Sequence, residues 1–99
     1  MDIEKMQTNA EDAAGLMKML SSPARLMVLC ALVSHEHTAG ELEELVGLSQ
    51  SAVSQHLARL RLENLVKTRR DGQKIYYALN NESAKRVIET LHSIYCGHL

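Results

Sequence analysis

Apolar positions recur at helical spacing along most of this chain and change to strand spacing once. Ala13, Leu16, Met17 and Leu20 fall on one face at intervals of three and four, which predicts a helix from Ala10 to Leu20. Ser21-Ser22-Pro23 interrupts it. Ser22 suits an N-cap and Pro23 a first helical position, so a second helix runs from there to about Ser34, with Leu26, Leu29, Cys30 and Val33 as its stripe. Gly40 to Val46 predicts a short third helix with Leu42, Leu45 and Val46 inward, closed by Gly47. Ser49 caps a fourth helix, about residues 50–63, whose apolar side is Val53, Leu57 and Leu60. The period then changes. Leu65 to Arg70 and Lys74 to Leu79 read as strands joined by the tight-turn pair Asp71-Gly72. Asn80 or Asn81 caps a last helix, about residues 81–97, with Ala84, Val87, Ile88, Leu91, Ile94 and Tyr95 on one face. Residues 1–9 are polar and read as a flexible N-terminus, which leaves 10–99 as a single domain.

The predicted class is mainly α with a small β-hairpin wing over about residues 65–79. Four helices, a hairpin and a fifth helix in that order describe a winged helix-turn-helix. Composition agrees with packed helices. Of the 99 residues 45% are hydrophobic, there is no Phe or Trp, and Tyr occurs three times, so the core is aliphatic. A chain this short buries a modest share of its surface, and its two terminal amphipathic helices suit a homodimer formed through the first and last helices. No apolar run approaches the roughly 20 residues that cross a bilayer. The start, Met1-Asp2-Ile3-Glu4-Lys5, lacks the basic flank and apolar segment of an export signal. A cytoplasmic protein without a membrane partner is expected, with its two cysteines reduced.

Net charge is −1, yet its distribution is uneven. Residues 1–48 hold three basic side chains against eight acids, a net of −5. Residues 49–80 hold six basic side chains against two acids, a net of +4. The positive charge therefore sits on the fourth helix and the hairpin, as a phosphate-facing surface requires.

The fourth helix carries groups suited to reading base edges on the side away from Val53, Leu57 and Leu60. Ser51, Ser54 and Ala58 allow close approach to a groove floor. Gln55 has the donor and acceptor pair that matches adenine, and Arg59 matches guanine or a phosphate. Gln50 and His56 flank them. Around the hairpin, Lys67, Arg69, Arg70, Gln73 and Lys74 supply backbone contacts. Double-stranded DNA is the expected partner, and a symmetric dimer asks for an inverted-repeat operator. The sequence has neither a glycine-rich phosphate loop nor a nucleophile motif, so no catalytic residue, cofactor or enzyme activity is expected.

Four stretches carry a family resemblance: Leu20-Ser21-Ser22-Pro23-Ala24-Arg25-Leu26, Gly40-Glu41-Leu42, Leu48 to Leu60 with its Ser-Gln-Ser-Ala-Val-Ser-Gln-His-Leu run, and Gly72 to Leu79. In them the chain resembles an ArsR-type (ArsR/SmtB) winged-helix repressor over roughly residues 10–97. The resemblance implies a homodimer that binds an operator and releases it on meeting an inducer. The metal-sensing patterns of that family do not match. Thr38-Ala39-Gly40-Glu41-Leu42 has no cysteine pair, and around His92 the other ligand positions hold Leu79, Asn81 and Tyr95.

What remains is Cys30 in the second helix and Cys96 near the end of the last. Taken alone, Cys30 reads as a small buried hydrophobe. Cys96, beside Gly97, is harder to place in a core. The pair resembles that of the thiol-responsive branch of the family, the BigR-, SqrR- and HlyU-like regulators. That resemblance implies a disulfide or polysulfide bridge between Cys30 and Cys96, formed on exposure to reactive sulfur species or oxidants, that releases DNA. Two alternatives stay open: a zinc-responsive repressor, and an anti-silencing activator without a redox switch. His92, Cys96 and Cys30 offer zinc ligands, but no complete four-ligand spacing appears. His35 and His37 read as a solvated loop.

Overall fold

Each of the five helices begins on a side chain that accepts from the backbone one turn ahead, which is why the breaks fall where they do. In the computed structural model, which describes residues 2–96, Asp2 accepts from the Lys5 N–H at 3.2 Å and opens α1 (Ile3–Leu20). Ser22 opens α2 (Pro23–Ser34), and Thr38 opens α3 (Ala39–Val46) with Glu41 closing a reciprocal capping box. Ser49 opens α4 (Gln50–Leu62), and Asn81 accepts from the Ala84 N–H at 2.9 Å to open α5 (Glu82–Cys96). Such caps satisfy donors that the helix itself leaves free. The expected end of the last helix at residue 97 lies outside the described residues.

The sheet holds a strand that the hydrophobic pattern does not predict. β1 (His37–Thr38) precedes α3, and β2 (Val66–Asp71) and β3 (Lys74–Leu79) form the hairpin. The order is β1-β3-β2, antiparallel throughout, with His37 opposite Tyr77 and Thr38 opposite Tyr76. In the hairpin Arg69 stands opposite Tyr76 and Arg70 opposite Ile75, and Gly72 takes φ 63° at the turn. The architecture is thus five helices with a three-stranded sheet in winged-helix order, one short strand more than a bare hairpin.

The core lies where α2, α3, α4 and α5 meet the sheet. Val28 and Leu29, Leu42, Val53 and Leu60, and Ile88 are all fully buried there. Val66 and Leu65 close it beneath the hairpin. Just past α4, Asn64 takes the left-handed region at φ 61°, and the Leu65 N–H returns to the Leu60 carbonyl at 2.9 Å, which turns the chain from α4 into β2.

Several inward assignments need correction. Residues 3–9, expected to be flexible, form the first turns of α1, because Asp2 caps them. Within α1 it is Met19 and Leu20 that are buried, with Leu16 half-buried, whereas Ala13 and Met17 face outward. Burial on this helix is confined to its last turns, so the local crossing sets its phase rather than an average stripe. Leu45, Ile94 and Tyr95, expected inward, are exposed, and on α2 Val28 and Leu32 join Leu29 as buried residues while Cys30 and Val33 are half-buried.

Arg25 fixes the junction of α1 and α2, which turns through 96°. Its Nε donates to the Met19 carbonyl at 2.9 Å and its Nη2 to the Lys18 carbonyl at 3.2 Å. A cation thus satisfies carbonyls at the C-terminus of α1, where the helix dipole favours it. Arg25→Ala is expected to lower unfolding free energy by about 1–2 kcal/mol, read as a shifted urea midpoint.

Candidate nucleic-acid interface and thiol pocket

α3 and α4 meet at a turn that only a left-handed residue closes well. Gly47 adopts φ 67° and its N–H donates to the Glu43 carbonyl at 2.9 Å. A side chain there would strain the turn. Ser49 then starts α4 against the core through Val53, Leu57 and Leu60. That packing leaves Gln50, Ser51, Ser54, Gln55, Ala58 and Arg59 exposed, with His56 half-buried. The outward row is polar, narrow at its start and basic at its end, the shape and chemistry of a major-groove reading helix. Arg59 lies 3.8 Å from Glu63, and both are about half exposed, so the pair is easily broken by a phosphate or a base edge.

The wing distributes its charges by strand alternation. Lys67, Arg69 and Lys74 share one face with Tyr76, while Arg70 lies opposite Ile75 on the other. All five of Lys67, Arg69, Arg70, Gln73 and Lys74 are exposed. Arg69 differs from the rest. Its guanidinium makes a bidentate pair with Glu36 and sits 4.5 Å from the centre of the Tyr76 ring. Hydrogen bonding from Arg69 holds the Glu36 carboxyl below the usual carboxylate range. Nothing in the sequence points to Glu36, because the two residues are 33 positions apart and the contact depends on how the sheet folds over α2.

Cys30 and Cys96 line the same pocket between α2 and α5, with apolar walls that include Leu26, Met27 and Leu45. Cys30 is half-buried and Cys96 exposed, and both are free thiols. Burial pushes the Cys30 thiol up, and the nearby Cys96 adds to the shift. His35, His37 and His92 also border this pocket. His37 is not in a solvated loop: it sits on β1, is 7% exposed, and packs its ring 4.2 Å from that of His35. Among the described residues, no group of three His, Cys, Asp or Glu side chains is arranged to hold a metal ion. Among them also, no single helix is long and apolar enough to cross a membrane.

Residues 22–68 match the model of the bacterial regulatory proteins of the arsR family. The HTH-type transcriptional regulator YgaV of Escherichia coli is 47% identical over 96 residues, covering 96% of this chain and 97% of that protein. The chain belongs to the ArsR family. The transcriptional activator HlyU of Vibrio cholerae is 43% identical to this ArsR-family protein, over 97% of this chain and 89% of its own. The crystal structure of the transcriptional repressor BigR from Xylella fastidiosa superposes with a TM-score of 0.87 at 40% identity, covering 99% of this chain and all of that one. This ArsR-family protein is therefore a DNA-binding transcriptional regulator with a winged helix-turn-helix fold, and not an enzyme.

Proposed function

We propose that this regulator is a homodimeric, cytoplasmic repressor that leaves an inverted-repeat operator when Cys30 and Cys96 are bridged by a disulfide or polysulfide. The observation that carries the reading is the placement of both thiols on one pocket between α2 and α5. The dimer is supported by apolar side chains left uncovered on the two terminal helices: Ile3, Met6 and Met17 on α1, and Ile94 and Tyr95 on α5. Pairing two copies through these faces sets the distance between two α4 helices, and operator half-sites ask for about 34 Å. Gln50, Ser51, Ser54, Gln55, His56 and Arg59 read bases or adjacent backbone, while Lys67, Arg70, Gln73 and Lys74 grip phosphates.

The chemistry follows from exposure. Cys96 meets the sulfur donor first, and its thiolate takes the outer sulfur of a persulfide, releasing the donor thiol. The Cys30 thiolate then attacks the Cys96 Sγ and expels hydrosulfide, leaving a disulfide. A bridge that retains one sulfur consumes a second persulfide, which departs as thiol, and one hydrogen sulfide is released. Peroxide accomplishes the plain disulfide by taking two electrons and two protons and becoming water. Because the Cys30 thiol is raised, bridge closure is expected to accelerate as pH rises toward its shifted value. The bridge pulls α5 against α2 and alters the spacing of the two reading helices, and each base that α4 can no longer reach weakens binding by ~1–3 kcal/mol.

The test is intact mass under non-reducing conditions after glutathione persulfide or peroxide, paired with duplex binding. A bridge within one chain, absent in Cys30→Ser and in Cys96→Ser, with both variants still holding DNA after treatment, supports the switch. Release of DNA by either variant would overturn it. A reporter fused to the operator separates repression from activation by displacement of another DNA-coating protein. That second reading is favoured by the relative named a transcriptional activator.

A further inference from the structure

Residues 35–38 touch three parts of the molecule at once. His35 and His37 border the pocket of Cys30 and Cys96. Glu36, between them, reaches to the wing and holds Arg69. Thr38 accepts from the Glu41 N–H at 3.2 Å and donates its own N–H to the Glu41 carboxylate at 2.8 Å, which fixes the start of α3. That carboxylate also stands 3.7 Å from Nδ1 of the buried His37.

We infer that the Glu36–Arg69 pair is the clasp through which the thiol pocket sets the position of the wing, and that Arg69 is a positioning residue rather than a phosphate contact. Three observations carry this. The guanidinium is engaged on one edge and one face: its Nε and Nη2 donate to Glu36, and the Tyr76 ring lies against its face. Its charge is cancelled by Glu36, whereas among the described residues Lys67, Arg70 and Lys74 have no carboxylate within ion-pair distance. Finally, Tyr76 pairs with Thr38 across the sheet while His37 pairs with Tyr77, so any shift of β1 is transmitted to both strands of the hairpin. Sulfur added between α2 and α5 displaces the wall that His35 and His37 form, and the clasp carries that displacement outward. The coupling half of the inference rests on the thiol switch proposed above; the role of Arg69 does not.

The experiment uses the full chain, reduced, with Glu36→Gln, Arg69→Ala, Arg69→Lys and the double variant Glu36→Gln/Arg69→Ala. Binding to an operator duplex is followed across a salt titration. Each single substitution is expected to weaken binding about three- to tenfold at fixed salt, with the double no weaker than the singles. The logarithmic salt slope stays at the wild-type value, and Arg69→Lys fails to rescue, because a point charge does not reproduce the fork. If Arg69→Ala lowers the slope by about one unit per site and Glu36→Gln binds more tightly, Arg69 is a phosphate contact and the inference falls. The series is then repeated on protein whose bridge is verified by mass. The ratio of reduced to bridged affinity is expected to be smaller in Glu36→Gln than in wild type; an equal ratio would remove the clasp from the route. Should wild-type affinity not respond to bridging at all, the coupling half is overturned together with the switch, and the reduced-state comparison still decides the role of Arg69.

Discussion

Leu60→Ala is expected to lower the free energy of unfolding by about 3–4 kcal/mol. Leu60 is fully buried in the last turn of α4, and its carbonyl receives the Leu65 N–H where the chain turns into the hairpin. Removing its branch leaves a cavity bounded by a helix, a turn and a strand, and closing it requires moving α4. A domain of this size has a total stability of about 5–15 kcal/mol, so the variant should lose much of it. Urea denaturation followed by circular dichroism measures the change as a lower midpoint at constant slope. Leu62→Ala, two residues on and 78% exposed, is expected to change the same quantity by less than about 0.5 kcal/mol. A loss near 1 kcal/mol for Leu60→Ala would show that the site collapses and that the α4–β2 corner is softer than its burial suggests.

Gln55→Ala is expected to have the largest effect on operator recognition of the exposed substitutions. Gln55 stands in the middle of the outward row of α4, between Ser51 and Arg59, with nothing in the protein covering it. A bidentate contact from glutamine to adenine contributes about 1–3 kcal/mol of discrimination, and a dimer makes it once in each half-site. Loss of both weakens specific binding by about 30-fold or more, with relaxed preference confined to one base pair per half-site. Lys67→Ala makes the informative contrast. Its expected signature is uniform weakening on all sequences and a salt slope lower by about one unit per site. A titration of the two variants on matched and mismatched duplexes tells them apart, and uniform weakening by Gln55→Ala would move base readout elsewhere on α4.

α4 and the hairpin are legible in the sequence because each carries two agreeing signals. In α4 the Ser49 cap and the Val53, Leu57, Leu60 spacing point to the same boundaries; in the wing the Asp71-Gly72 turn and the strand residues do so. β1 carries no signal, since two residues have no period and a buried histidine looks polar. The phase of α1 is misleading for a related reason: Ala13 and Met17 share spacing with Leu20, yet only the end of the helix meets the core. Ile94 and Tyr95 keep the spacing of the α5 stripe, yet both are exposed, because spacing does not tell where along the helix the core ends. The two thiols are identifiable by residue type, while their shared pocket depends on how α5 returns over α2. Glu36 is illegible, because a long-range ion pair leaves no local pattern.

The strand order has one further consequence. β3 has β2 along its whole length on one side and the two-residue β1 on the other, which leaves β2 as the longer edge strand of the sheet. An open edge offers unpaired backbone groups to any extended chain, and lysine and arginine are what natural sheets place there to discourage such pairing. Lys67, Arg69 and Arg70 all lie on that strand. The unpaired charges of Lys67 and Arg70 discourage molecules from stacking edge to edge, so variants that shed them are expected to lose solubility.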